Sequence, residues 1–381
     1  MVVEVVAVIV GAGRGETAGG GGSDEQAASS TGTTGRVQRR FIAARMPEPR
    51  SSLPTSPTAP LPRAPSGRDA APDGESIVLG IDLGGTKIEG AVVAFDPAGS
   101  VSRELARSRI ATDRDEGYEA VLMRVAGLVH QLVADAGLDA LPPVGVGMPG
   151  SVTRATGLVK NSNTVCLNGR PFRQDLETAL GVPVRFANDA NCLALAEARL
   201  GAGRGHEGGV VFGVILGTGV GGGWVLHGRP WDGPQGIGGE WGHHALVWPD
   251  GRPCYCGKRG CVERYLAGPD VERAYAQRAG GRLPLAQIAA RAADPAIDDA
   301  AARQTIDELL THFGRALANV ISIVDPDLIV LGGGVSQVAA LYTEGRARVA
   351  REVFNDELLT PIVPARLGPA AGVLGAALLV L

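Results

Sequence analysis

The octapeptide Val184-Arg185-Phe186-Ala187-Asn188-Asp189-Ala190-Asn191 contains the most informative change of pattern in the sequence. Its first part is predicted as a short buried strand that ends on Asn188-Asp189, and a helix of small and apolar residues is predicted from Ala190 to Leu200. In an α/β chain, a carboxylate at the carboxyl end of a strand lies where the fold opens its crevice. Asp189 could accept a proton there from an attacking hydroxyl if a phosphate donor is held opposite, or it could only cap the helix that follows.

The length and composition indicate a globular protein. With 381 residues, 45% of them apolar and 20% charged, the chain is long enough for two domains of ordinary size. The 36 Lys and Arg residues stand against 40 Asp and Glu residues, and the net charge of −4 argues against nucleic acid as a partner. No run of about 18 apolar residues occurs, so we expect no membrane span and a cytoplasmic location.

The first 75 residues differ in composition from the rest of the chain. They are rich in Gly, Ser, Thr, Ala, Pro and Arg and show no sustained periodicity. Gly11-Ala12-Gly13 follows an apolar run and imitates a dinucleotide-binding unit, but Glu16 stands where a third glycine is needed. We expect residues 1–75 to be a disordered extension, or the product of a start codon placed too far upstream.

A first glycine-rich turn follows the first strong strand of the sequence. Ile77 to Asp82 is predicted as a buried strand, Leu83-Gly84-Gly85-Thr86 as a tight turn, and Lys87 to Phe95 as the returning strand. The backbone N–H groups of such a turn can hold phosphate oxygens, and Asp82 beside them could order Mg²⁺ through water. A plain hairpin would need similar glycines, but the Asp-x-Gly-Gly-Thr-Lys string favours a functional turn.

A second glycine-rich turn resembles the first. Val210 to Leu216 is predicted as a strand, and Gly217-Thr218-Gly219-Val220-Gly221-Gly222 then matches the G-x-G-x-x-G pattern. A dinucleotide-binding fold requires a helix after this pattern, whereas Trp224 to Gly228 is predicted as a strand. The two glycine hairpins lie about 135 residues apart, so we infer two similar domains that face one nucleotide.

The carboxyl-terminal part of the chain contains a third glycine-rich turn. Gly332-Gly333-Gly334 follows the predicted strand Leu328 to Leu331 and is expected to let the adenosine of a nucleotide lie close to the backbone. The other elements that we predict are helices at Glu116–Ala136, Pro171–Leu180, Ala300–Ile323 and Gly372–Val380, and strands at Val144–Met148 and Pro361–Arg366.

Three cysteines within eight positions form a metal-binding pattern. Cys254, Cys256 and Cys261 require a fourth ligand from elsewhere, and His243 is the best candidate, with the neighbouring His244 second. One His and three Cys ligands suit tetrahedral Zn²⁺ in a closed, structural site, although three reduced and unliganded cysteines are the alternative. Two acids, Glu240 and Glu263, flank this metal loop on either side and could accept hydrogen bonds from the hydroxyl groups of a sugar ring.

Together these motifs resemble the ROK family (repressor, ORF, kinase) of sugar kinases. The strings that carry the resemblance occur in family order over about residues 76–381 and are Asp82 to Lys87, Asn188 to Asn191, Leu216 to Gly219, Glu240-x-Gly-His243 and the Cys254 to Glu263 segment. Within the family, Leu167 to Phe172 and Cys254 to Lys258 look most like bacterial fructokinase or manno(fructo)kinase.

The resemblance implies an α/β, two-domain actin-like ATPase (ribonuclease H-like) fold with an interdomain cleft. The expected domains are residues 76–190 and residues 191–381, the second with the zinc loop 243–263, and the last helix is expected to pack back on the first domain. The family is often dimeric, so a homodimer is expected.

The resemblance also implies a role for each matched residue. Asp189 is expected to be the base for the sugar 6-hydroxyl, and Asn188, Glu240, His243 and Glu263 are expected to hold the sugar. Structural Zn²⁺ is expected on His243, Cys254, Cys256 and Cys261. ATP with Mg²⁺ is expected at the segments Gly80–Lys87 and Gly213–Val220, and the residues assigned to ATP are Gly80, Asp82, Gly84, Gly85, Thr86, Lys87, Gly217, Thr218, Gly219, Gly332, Gly333 and Gly334.

The substrate implied by the resemblance is a hexose, most simply D-fructose converted to fructose 6-phosphate. N-acetylglucosamine, N-acetylmannosamine, glucose and mannose are alternatives, because one hydroxyl or acetamide group is distinguished by loop geometry. The sugar-responsive repressor branch of the family is an alternative from another class. That branch needs a helix-turn-helix before the kinase-like part, and residues 1–75 show no pair of amphipathic helices.

Overall fold

Two five-stranded β-sheets form the framework of the protein. The computed structural model describes residues 74–381, so the predicted extension of residues 1–75 lies outside the described part except for its last two residues. The strands are, in chain order, β1 (Ser76–Leu83), β2 (Lys87–Phe95), β3 (Val101–Ala111), β4 (Val144–Met148), β5 (Ser151–Val152), β6 (Val159–Lys160), β7 (Val184–Asn188), β8 (Val210–Leu216), β9 (Val220–Leu226), β10 (Arg229–Trp231), β11 (Leu328–Gly332) and β12 (Ile362–Pro364).

Helices connect and cover these sheets. No helix between residues 74 and 381 combines the length and the apolar character that crossing a membrane would require. The helices are α1 (Tyr118–Asp135), α2 (Phe172–Leu180), α3 (Asp189–Leu200), α4 (Glu263–Leu266), α5 (Gly268–Ala279), α6 (Leu285–Ala293), α7 (Ala300–Val324), α8 (Glu344–Glu352) and α9 (Ala371–Leu378).

Both sheets have the same topology. The strand order is β3-β2-β1-β4-β7 in the first sheet and β10-β9-β8-β11-β12 in the second. In each sheet the three strands that come first in the chain pair antiparallel, and the other two join parallel. Residues 84–86 connect β1 to β2 and residues 217–219 connect β8 to β9, so the two predicted glycine turns occupy equivalent positions.

The predicted α/β class is confirmed by this arrangement. The domain boundary between residues 190 and 191 stays a prediction, since the described residues 74–381 all fall within one compact unit. Strand β7 in the first sheet leads directly into α3, and the chain then enters the second sheet at β8.

Helices α3 and α9 lie between the two sheets. One hydrophobic cluster joins side chains of both sheets with side chains of these helices. Because successive side chains of a strand point to opposite faces, each sheet has a second face that needs its own cover. Helices α1 and α2 cover this face of the first sheet, and α5 to α8 cover it in the second. The shared cluster consists of Val78, Ala91, Val93, Phe95, Ala194, Leu195, Ala198, Val211, Val225, Leu328, Val330, Val373, Ala377 and Leu378.

Glycine allows α9 to approach the backbone of the first sheet. A Cβ atom on Gly145 of β4 would lie 1.9 Å from the carbonyl oxygen of Ala376, and one on Gly80 of β1 would lie 2.2 Å from that of Val373. A side chain at either position would therefore push α9 away from the sheet. Gly80, a predicted ATP contact, lies in β1 against α9, where glycine is needed for packing; its contact with ATP stays a prediction.

A buried carboxylate ties the segment before α9 to α3. Glu197 of α3 is fully buried, and it accepts hydrogen bonds from the backbone N–H groups of Ala202, Arg366 and Leu367 at 2.8–3.1 Å. Three backbone donors compensate for the loss of water around the charge. The two helices between the sheets are thus connected by a polar contact as well as by apolar packing.

The ends of the predicted helices lie within two residues of the observed ends. The elements that were not predicted are strands β3, β5, β6 and β10 and helices α4, α5, α6 and α8. Strand β3 is the outer strand of its sheet, and it carries charged side chains instead of an apolar alternation. Arg107 and Arg109 of β3 donate to the buried carboxylate of Glu89 on β2 at 2.7–2.9 Å. This pairing across strands depends on residues about 20 positions apart, so a local pattern does not show it.

Two glycine substitutions test the close approach of α9. Gly145→Ala should lower the free energy of unfolding by about 1–3 kcal/mol, because the added methyl group overlaps the backbone of α9. Gly127→Ala is the matched control. An added Cβ meets nothing within 4 Å at this exposed position in α1, so stability should rise by about 0.5–1 kcal/mol. Urea unfolding followed by circular dichroism measures the stability of both variants. A Gly145→Ala variant as stable as wild type would contradict the close packing of α9 against β4.

Candidate active site

Asp189 is the first residue of α3 and directly follows strand β7. The N-cap of this helix is Asn188, whose side-chain carbonyl accepts the N–H of Ala190 at 2.8 Å. The amide group of Asn188 also donates to the carbonyl of Gly150 at 3.1 Å. One oxygen of Asp189 accepts the same N–H of Ala190 at 2.9 Å. Since Asn188 occupies the N-cap position, the Asp189 carboxylate is not needed as the sole cap of the helix.

Two other carboxylates, those of Asp82 and Glu240, lie close enough to act on Asp189. Burial, followed by the charges of Asp82 and Glu240, raises the pKa of Asp189 to about 6, although the N–H of Ala190 acts in the opposite direction. Burial also raises the pKa values of Asp82 and Glu240. The positive charge of Lys87 opposes the increase at Asp82. Several perturbed acids in one place are typical of a functional site.

Glu240 connects these acids to the predicted metal ligands. The charge of His243 opposes the burial that raises the pKa of Glu240, whereas the charge of Glu263 adds to it. Glu240 precedes a single helical turn, Trp241–His243. Trp241 is buried, and its indole N–H donates to the carbonyl of Gly221 at 2.9 Å. This anchor on β9 fixes the segment that carries both Glu240 and His243.

Glu263 is a buried acid that supports the second glycine turn. It is 8% exposed, and its Oε2 accepts the backbone N–H of Val220 at 3.0 Å. A Cβ atom on Gly219 would lie 2.8 Å from the same oxygen. Glu263 is also a predicted sugar ligand, and that role stays a prediction. In the structure, one of its two oxygens holds the glycine turn, so Glu263 joins the metal loop to this turn.

The first glycine turn presents free backbone donors. The N–H of Gly84 donates to the carbonyl of Lys87 at 2.9 Å, and the hydroxyl of Thr112 donates to the carbonyl of Gly84 at 2.7 Å. The N–H groups of Gly85 and Thr86 have no acceptor among residues 74–381. They can therefore receive phosphate oxygens. The contact of Thr112 with this turn was not predicted. Thr112 follows strand β3, which the sequence did not reveal, and it belongs to no recognised motif.

The second turn has the same property. The N–H of Gly217 donates to the carbonyl of Gly219 at 2.9 Å. The N–H groups of Thr218 and Gly219 have no acceptor within the described part of the chain. The carbonyl of Gly217 accepts the N–H of Gly268 at 2.9 Å, which fixes the turn at the start of α5. Two equivalent turns with free donors suit a ligand that carries several phosphates.

The third glycine turn lies beside the second. Gly333 has a φ of +87°, and a Cβ atom there would lie 2.3 Å from the carbonyl oxygen of Leu216, the last residue of β8. Glycine is therefore required both by the backbone conformation and by the close contact. Gly334 faces open space, whereas a Cβ on Gly332 would meet Leu193 at 2.9 Å. Gly333 and Gly334 are placed near the second turn, while Gly332 packs against α3.

The four predicted metal ligands lie together. One ligand atom from each of His243, Cys254, Cys256 and Cys261 is within 4.8 Å of the others. The Nδ1 of His243 is 3.7 Å from the Sγ of Cys254, and the Sγ atoms of Cys256 and Cys261 are 3.6 Å apart. A tetrahedral zinc ion with Zn–S bonds of about 2.3 Å separates its sulfur ligands by about 3.8 Å. The residues therefore fit zinc, and the alternative ligand His244 is not part of the group.

A cavity of about 400 Å³ lies beside Asn188. Its wall includes Ser151 and Asn191, whose Oγ and Oδ1 atoms are buried and have no hydrogen-bond partner among the described residues. Arg154 and Asp232, which also line the cavity, form an ion pair at 3.2 Å. No sequence motif covers residues 151–157, so the cavity was not predicted. It offers unused hydrogen-bonding groups next to a predicted sugar ligand.

Relatives of known name are similar to this chain along nearly their whole length. An N-acetyl-D-glucosamine kinase from Photobacterium profundum is 36% identical over 309 residues, which are 79% of this chain and 98% of that protein. Proteins of the same name from Citrobacter koseri and Vibrio cholerae are 38% and 35% identical, and each match covers 79% of this chain and 98% of the relative.

Solved structures show the same fold. The ROK hexokinase from Thermus thermophilus is 34% identical, with a TM-score of 0.67 over 80% of this chain and 97% of that one. A ROK family glucokinase from Streptomyces griseus, in complex with glucose and AMPPNP, is 30% identical, with a TM-score of 0.63 over 80% of this chain and 99% of that one. These similarities confirm the two-domain actin-like ATPase fold that the motifs implied. The sequence profile of the ROK family matches residues 78–381. The chain therefore belongs to the ROK family.

Proposed function

We propose that the protein is an ATP-dependent sugar kinase that phosphorylates the 6-hydroxyl group of N-acetyl-D-glucosamine. The observation that carries this proposal is the similarity, over almost their full length, to proteins named for that reaction. The motifs favoured fructose, whereas the names of the relatives support the alternative, N-acetylglucosamine. Family membership supports the coarser part of the proposal, a kinase that acts on a sugar.

In the proposed reaction, Asp189 accepts the proton of the 6-hydroxyl as that oxygen attacks the γ-phosphorus of ATP. A carboxylate with a pKa of about 6 is mostly ionised at neutral pH, yet it is more basic than an ordinary aspartate. The hydrogen bond from Ala190 holds one of its oxygens, which leaves the other for the substrate. Phosphoryl transfer depends mainly on positioning of the reactants and on charge stabilisation. A fixed base at the end of β7 would contribute to the positioning.

The phosphates of ATP are assigned to the two equivalent glycine turns. The free N–H groups of Gly85 and Thr86 in one turn, and of Thr218 and Gly219 in the other, would donate to phosphate oxygens. Mg²⁺, when bound, would neutralise charge on the transferring phosphate, and Asp82 is the acid placed to hold its water. Gly333 and Gly334, beside the second turn, are assigned to the nucleoside.

Sugar binding is assigned to Asn188, Glu240, His243 and Glu263. Each is fixed by the protein before a sugar arrives, through the cap of α3, the Trp241 anchor or the bond to Val220. Structural zinc on His243 and the three cysteines would hold the loop between Glu240 and Glu263. Pre-organised acceptors lower the entropy lost when the sugar binds. The homodimer and the cytoplasmic location stay predictions.

The substrate assignment predicts an order of activity within a panel of sugars. With ATP and Mg²⁺, kcat/KM should be highest for N-acetylglucosamine, by about tenfold or more over N-acetylmannosamine, glucose, mannose and fructose. A coupled assay of ADP release measures the panel, and mass spectrometry of the product locates the phosphate. A preference for fructose would restore the first expectation, and no activity with any sugar would overturn the kinase proposal.

The role of Asp189 predicts a loss of turnover without a loss of fold. Asp189→Asn keeps the size of the side chain but removes the base, so kcat should fall by about 10²–10⁴-fold. Asp139→Asn, at an exposed position, is the control and should behave as wild type. In the wild-type enzyme kcat/KM should fall as pH decreases through about 6, since protonation below the raised pKa removes the base. An Asp189→Asn enzyme with near-normal kcat would exclude this role.

The zinc assignment predicts that metal, stability and sugar affinity are lost together. Cys256→Ser should abolish binding of about one zinc ion per chain, lower the melting temperature and raise KM for the sugar, because structural zinc contributes on the order of 10 kcal/mol of binding energy. Cys166→Ser, which changes a cysteine outside the group of four ligands, should keep the metal. Elemental analysis and thermal unfolding measure the effect. A metal-free Cys256→Ser variant with full activity would contradict the structural role.

A further inference from the structure

Tyr255 is an exposed aromatic residue whose hydroxyl group contacts His243, one of the residues predicted to bind the sugar. Its side chain is 80% exposed, and its hydroxyl oxygen is 3.0 Å from the Nε2 of His243. The two rings meet edge to face, with centroids 5.3 Å apart and planes at 89°.

The contact occupies the nitrogen that a sugar needs. The Nδ1 of His243 faces the Sγ of Cys254, at 3.7 Å, and is therefore on the metal side of the ring. Only Nε2 remains for a ligand, and in the structure it pairs with the hydroxyl of Tyr255. A ligand hydroxyl or amide that binds His243 must therefore lie beside Tyr255 or replace its hydrogen bond.

Glu240 connects Asp189 to the segment that Tyr255 contacts. The carboxylates of Asp82 and Glu240 act on Asp189. Glu240 directly precedes the helical turn Trp241–His243. Tyr255 contacts His243, the last residue of that turn, so its hydroxyl lies at the metal-loop end of this segment.

The geometry of a hexose relates Asp189 to the metal loop. If the 6-hydroxyl group lies at Asp189 and His243 holds the sugar, as the proposed function requires, the opposite edge of the pyranose ring points toward the metal loop. That edge carries the substituents of C1, C2 and C3. The C2 acetamido group distinguishes N-acetylglucosamine from glucose, and it combines an apolar methyl group with an amide. A tyrosine presents an apolar ring with a polar tip and matches both parts.

We propose that Tyr255 is a specificity-determining residue that contacts the C2 acetamido group of the sugar. This inference rests on the proposed function and adds a residue to it. Tyr255 lies between Cys254 and Cys256, two of the predicted metal ligands, so a bound zinc ion would fix its backbone on both sides. A ring held in this way recognises a substituent at a small cost in entropy.

The test compares two sugars that differ only at C2. The kcat/KM values for N-acetylglucosamine and glucose are measured for wild type, Tyr255→Ala and Tyr255→Phe. Tyr255→Ala should lower kcat/KM for N-acetylglucosamine by about tenfold or more, mainly through KM, and should leave glucose nearly unchanged. Tyr255→Phe keeps the ring and should retain part of the preference.

Two control variants and a metal measurement accompany the test. Tyr275→Phe also removes one tyrosine hydroxyl, which donates a hydrogen bond to Asp299 at 2.9 Å. This variant should not change the ratio of the kcat/KM values for the two sugars. Ser151→Ala removes the unpartnered hydroxyl of the cavity beside Asn188 and should not change it either. Zinc content should equal that of wild type in every variant, which excludes loss of the metal as the cause.

The outcomes separate this inference from the proposed function. An equal fall for both sugars in Tyr255→Ala, or an unchanged ratio, would overturn the role of Tyr255. A ratio that responds to Ser151→Ala and not to Tyr255→Ala would place the acetamido group in the cavity and would also overturn it. A wild-type enzyme that prefers another sugar contradicts the proposed substrate directly, whatever the variants show. A selective loss of N-acetylglucosamine activity in Tyr255→Ala supports the inference.

Discussion

The contact of helices α3 and α9 with the backbones of both sheets is the constraint on which the rest of the structure depends. The two sheets share one hydrophobic cluster only because these helices lie between them. The approach of α9 requires glycine at Gly145, where any side chain would overlap a backbone carbonyl. Asp189 begins α3 at the point where the chain leaves the first sheet for the second. The packing of the helices thus sets the position of the proposed base.

The candidate site combines acids of raised pKa with backbone donors that have no acceptor among the described residues. Burial raises the pKa values of Asp82, Asp189 and Glu240, and the charges of Asp82 and Glu240 add to the increase at Asp189. The glycine turns carry N–H groups without an acceptor in the described part of the chain, and these are the proposed donors to the phosphates. Glu263 connects one turn to the metal loop through Val220. The metal loop is therefore in direct contact with the second glycine turn.

Local motifs were sufficient to predict the parts of the site that are continuous in sequence. The strand–turn–strand units, the cysteine group with His243 and the strand that ends at Asn188 each depend on a few adjacent residues. Long-range contacts could not be predicted in this way. Gly80 looked like part of a nucleotide loop, but its environment is set by Val373 and Ala377 of α9. Strand β3 was missed because its charges are compensated by Glu89, which belongs to another strand.

The most direct test is a crystal structure with N-acetylglucosamine and a non-hydrolysable ATP analogue bound together. The sugar 6-oxygen should lie about 2.6–3.2 Å from a carboxylate oxygen of Asp189. The triphosphate should extend between the turns at Gly85 and Gly219, with its terminal phosphorus facing that sugar oxygen. A sugar that presents another hydroxyl to Asp189, or a triphosphate bound away from both turns, would contradict the account.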